Sequence, residues 1–108
     1  MEAERLRSGG LEYDAVWIRC RVVASFKPNE AIVSVVAQGV DETLDFFVDS
    51  SFVRPSDPPR GEQVDGEVQA ILLEEHNDTL LVQIPGEPVS YGPKIPISRG
   101  LLAVPISL

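Results

Sequence analysis

From Val16 to Phe26 the chain sets Val16, Ile18, Cys20, Val22, Ala24 and Phe26 at every second position, with Trp17, Arg19, Arg21, Val23 and Ser25 between them. A period of two belongs to an extended strand, whose successive side chains face opposite sides of a sheet. The pattern predicts one long strand with Val16 through Phe26 facing a core. Lys27-Pro28-Asn29-Glu30 carries turn chemistry, so the next apolar run, residues 31 to 38, reads as the second arm of a hairpin. A third strand follows at residues 44 to 49, closed by Phe52-Val53.

The stretch from Arg54 to Gly61 holds Pro55, Pro58 and Pro59. Proline cannot donate to a ladder, so this is a connector. After it the order recurs: a strand at 64 to 73, a turn over Glu75-His76-Asn77-Asp78, a strand at 79 to 84, a Pro/Gly-rich loop at 85 to 93, a short strand at 94 to 98, then Leu101-Leu102. The apolar residues 103 to 108 suit a closing strand.

The second run can be laid on the first. An offset of 46 aligns the leading strands and one of 49 the rest, the difference being assigned to a longer second hairpin turn. This pairs Val22 with Val68, Ala24 with Ala70, Phe26 with Leu72, Ala31 with Leu80, Val33 with Val82, Val35 with Ile84, Phe46 with Ile95, Val48 with Ile97 and Phe52 with Leu101. Every pair is apolar. A three-stranded unit exposes one apolar face and must bury it against another layer, so the two halves are expected to share one core. The fold class is all-β, a small six-stranded barrel or two-layer sandwich. In 108 residues one core is the economical solution. The expected organisation is a flexible arm at 1–12 and one β domain at 13–108, with halves at 13–53 and 63–104 around a connector at 54–62.

The net charge is −8 and the acids are spread along the chain, which disfavours nucleic acid because phosphate affinity depends on clustered Lys and Arg. A single cysteine excludes an intrachain disulfide. The amino terminus lacks the run of about seven apolar residues of a secretory signal, and no segment has the roughly 18 of a membrane-spanning helix. A cytoplasmic location without membrane association is the expectation.

Chemistry is sparse. His76 sits between acids in an expected turn, where a metal would lack rigid ligands. Cys20 is expected to be a small core residue with no base beside it. Asp45 and Asp49 share the outward face of the third strand, where cross-strand pairing with Arg19 and Arg21 is expected. No nucleophile elbow, phosphate loop or zinc motif occurs, so neither an enzyme nor a cofactor is expected.

The outward faces of the halves differ. The second presents Asp65, Glu67, Gln69, Gln83, Lys94 and Ser98, an ordinary solvated surface. The first presents Trp17, Val23, Ile32, Val36 and Phe47 with Arg19 and Arg21 among them, the composition of a protein contact surface. The expected function is a non-enzymatic interaction or self-assembly module, its partner another protein or a second copy. Two alternatives are an RNA- or ribosome-associated barrel using Arg19 and Arg21, and a small-ligand binder using the 85–93 loop with Tyr91 as a contact. The order strand, turn, strand, loop, short strand and final apolar step resembles small SH3-like or Tudor-like barrels; the likeness is one of architecture and implies no function.

Overall fold

Valine and isoleucine dominate the apolar runs, and proline and glycine punctuate them, so the chain forms strands with short connections. A computed structural model describes residues 5–8, 11–39, 43–86 and 92–103, with side chains from residue 14 onward. Its strands are β1 (Arg5–Ser8), β2 (Leu11–Ala24), β3 (Glu30–Val36), β4 (Thr43–Asp49), β5 (Val53–Arg54), β6 (Val64–His76), β7 (Thr79–Gln83) and β8 (Lys94–Ser98). Two 3-10 turns, Ser50–Phe52 and Arg99–Leu101, follow β4 and β8. Six strands form one antiparallel sheet in the order β4-β3-β2-β6-β7-β8, curled into a half-barrel, while β1 pairs with β2 and β5 with β6.

The two long strands lie together at the centre, paired from Asp14 with Leu72 to Val22 with Val64. Around them the halves repeat closely. A shift of 49 carries the pair Ala31–Val48 onto Leu80–Ile97. The same shift carries one 3-10 turn onto the other, and Asp49, which accepts from the Ser51 N–H, onto Ser98, which accepts from the Gly100 N–H. It also carries the Ser50 N–H bond to the Asn29 carbonyl onto the Arg99 N–H bond to Asp78. After each turn the chain crosses to the other half's long strand: Val53 pairs with Val68, and Leu102 bridges to Ile18. Each half therefore closes over its partner, and a half alone would lack a strand neighbour.

The structure corrects the offset of the leading strands. Val22 faces Val33 across the first hairpin, and Leu72 faces Val82 across the second, so the shift there is 50, not 46. Equivalent core positions are then Ile18 with Val68, Cys20 with Ala70 and Val22 with Leu72. The second hairpin is thus one residue shorter than the first, not three longer: β6 runs on to His76, a register shift falls between Leu72 and Glu74, and only Asn77-Asp78 separates it from Thr79. Asn77 holds φ 55°, a left-handed value asparagine tolerates. Periodicity could not reveal this, because a four-residue slip keeps the parity of a period-two pattern.

Ile18, Val22, Val33, Val35, Val53, Val68, Leu80, Val82, Ile95 and Ile97 are fully buried, with Phe46 and Val48 beside them. Each such side chain contributes about 1.5–3 kcal/mol on burial. One expectation fails at the edge. Phe26, assigned to the core, is 97% exposed, because the β2–β3 ladder ends at Ala24–Ala31 and the chain turns at Ser25. Ser25 is buried there instead, its N–H bonded to the Glu30 carbonyl and its hydroxyl to Glu30 Oε1 at 2.6 Å. Toward the amino terminus, β1 pairs Ser8 with Leu11 and Arg5 with Asp14.

Candidate interaction surface

The antiparallel registers set the outer face of β2, β3 and β4 in rows. Val23 lies beside Ile32 and Ile32 beside Phe47, one apolar row across three strands. On one side of it Glu30 faces Asp49; on the other Arg21, Ser34 and Asp45 line up. Phe47 is 58% exposed, because β4 alternates strictly and its odd positions point outward. Phe26 projects from the hairpin turn and lines a shallow hollow with Ser25, Lys27, Glu30 and Phe47. Burial excluded Phe26 from the sequence reading of this surface; the turn residue Ser25 was the missed signal.

The other expected contact residues go elsewhere. Trp17 lies six residues from Val23 along β2, about 20 Å at strand rise. Its ring is half-buried and covered by the Arg54 guanidinium at 3.8 Å from the ring centroid, and Arg54 is ion-paired with Glu67. Arg21 pairs with Asp65 at 3.4 Å and donates to the Gln63 carbonyl, while Arg19 reaches the Ala103 carbonyl. Arg21 thus pairs toward β6 and the connector and Arg19 toward the segment after the second 3-10 turn, and neither with Asp45 or Asp49, since β4 is not a neighbour of β2. Val36 is exposed at the far end of β3, beside Thr43. The expected single face is therefore divided: Val23, Ile32 and Phe47 remain together, and Phe26 joins them. Tyr91 lies outside the described residues.

The second half is less bare outside than expected. Leu81 lies beside Pro96 in the row equivalent to Ile32 and Phe47, and Leu73 sits at the register shift next to it. All three are half-buried, so the difference between halves is one of exposure at Phe26 and Phe47, not of apolar against polar rows.

Cys20 is half-buried against the core, and burial, aided by the Glu67 charge, pushes its thiol up to about 12. A thiol so protonated is a poor nucleophile at neutral pH. His76 hydrogen-bonds Glu74 at 2.8 Å on the exposed end of β6. Among the described residues no three His, Cys, Asp or Glu side chains converge. Asp49 is held below the usual carboxylate range by the Ser51 N–H it caps. A second cleft, polar and open, lies between the first hairpin turn, the 3-10 turn at Ser50–Phe52 and the proline connector.

No family model matches the chain, and neither the curated proteins nor the solved structures contain a significant match.

Proposed function

We propose that this protein is a non-enzymatic interaction module that binds another protein through the outer face of β2, β3 and β4. The observation that carries the reading is the register-paired row Val23–Ile32–Phe47, extended by Phe26 at 97% exposure. Large aromatics left in water beside aliphatic neighbours are the usual centre of a protein contact, and Phe supplies much area for little ordering entropy. The architecture is of the small SH3-like kind in our reading, and a cytoplasmic setting suits a chain whose one cysteine is a half-buried free thiol. The two arginines do not favour RNA, because Arg21 is paired with Asp65 and Arg19 is turned to the Ala103 carbonyl.

The test is replacement of the two aromatics together, Phe26→Ser with Phe47→Ser, read by native mass in cell extract. The wild-type chain runs in an assembly larger than its 11.8 kDa, and the double variant runs as the free chain with an unchanged melting temperature. Trp17→Ala lowers the melting temperature and leaves the assembly intact. A wild-type chain that already runs free in extract contradicts the reading.

A further inference from the structure

Resting on that reading, we infer that the partner's contacting segment is extended and basic, with cationic side chains on either side of an apolar one. Along β4 the exposed positions are Asp45, Phe47 and Asp49, an acid two residues before and two after the aromatic. Side chains two apart on a strand share a face, so these three present acid, aromatic, acid at about 7 Å intervals. Glu30 stands directly opposite Asp49 across the ladder, so two acids share that end of the row. Lys27 is the one cation lining the hollow beside Phe26, and among the described residues it makes no ion pair. Glu30, Asp45 and Asp49 therefore leave the rim of the apolar row with an excess of negative charge. Cations placed over Asp45 and Asp49 relieve it while an apolar side chain covers Phe47.

Two other occupants fit less well. A second copy brings the same acids and a net charge of −8 against itself. A strand added to the free edge of β4 meets Gly86, which packs so closely that a Cβ built on it would lie 2.5 Å from the Phe47 carbonyl oxygen. The segment therefore lies across the outer face and is read by side chains.

The experiment titrates the isotopically labelled full chain with two capped synthetic peptides, Lys-Ser-Phe-Ser-Lys and Glu-Ser-Phe-Ser-Glu, following amide shifts. The basic peptide perturbs residues 23 to 32 and 45 to 49, and its affinity falls as salt rises. Asp45→Asn with Asp49→Asn, which preserves the shape of the cap, weakens it about three-fold to ten-fold. The acidic peptide produces no shift on this face. Equal binding of both peptides, no binding of the basic one, or no effect of the asparagine pair overturns the inference. Any of these together with a native-mass shift for the Phe26→Ser, Phe47→Ser variant leaves the interaction surface standing. A homodimer held by this face overturns the inference as well. Loss of the native-mass shift itself removes the parent reading.

Discussion

Cys20 faces Gly66 across the central ladder. Its thiol carries the one large shift in acidity among the described residues, from an ordinary 9.0 to about 12. Because the folded chain holds this proton more tightly than the unfolded one, folding stability is full below pH 9 and declines as pH rises toward 12. Cys20→Ala is expected to remove that part of the alkaline decline, which denaturant midpoints at pH 8 and pH 11 will show. Alkylation by iodoacetamide at pH 8 should be slow for the folded chain and fast in urea; equal rates would place the thiol in water. Trp17 illustrates the limit of reading residues one at a time. Its outward parity was legible, but the Arg54 that covers it arrives from the connector side of β5, and no local pattern links positions 17 and 54.

At the level of elements, most strands were readable because alternation, turns and prolines agree. β3, β4, β7 and β8 fall where the pattern placed them, β2 starts earlier, at Leu11, and stops at Ala24, and six of the nine expected core pairings keep their equivalence. What was not readable is register: the shift at Leu73 and the exit of Phe26 depend on where a ladder stops, which is decided by hydrogen bonds at Ser25 and by the two-residue turn at Asn77-Asp78. Two glycines mark places where one element presses on another. A Cβ on Gly66 would lie 2.5 Å from the Arg54 carbonyl oxygen and 2.7 Å from Val22 Cγ2, and one on Gly86 would meet Phe47 and Phe46 at similar distances. Gly66→Ala and Gly86→Ala are each expected to cost about 1–3 kcal/mol, whereas Gly92→Ala, with open space around it, costs little. Thermal melts order the three; a Gly92→Ala variant less stable than Gly66→Ala would contradict the packing of β5 on β6.

For the whole molecule, the crossing of each half onto the other's long strand explains why the repeat is strict inside and loose outside. Core positions must satisfy two halves at once, so Val33 and Val82, or Val48 and Ile97, stay apolar and alike. Outer positions answer only to water or to a partner. The candidate surface was half legible: Val23, Ile32 and Phe47 share parity on neighbouring strands, while Phe26 joins them only through the turn, and Trp17 and Val36 leave them because strands are long compared with a contact site. The central claim is that the Phe47 face meets another protein. Incorporation of p-benzoylphenylalanine at position 47 in living cells, with Asp65 as the exposed control position, tests it most directly. A discrete light-dependent adduct at 47, absent at 65 and abolished by Phe26→Ser, is the predicted result; no adduct at 47, or the same products at both positions, would contradict it.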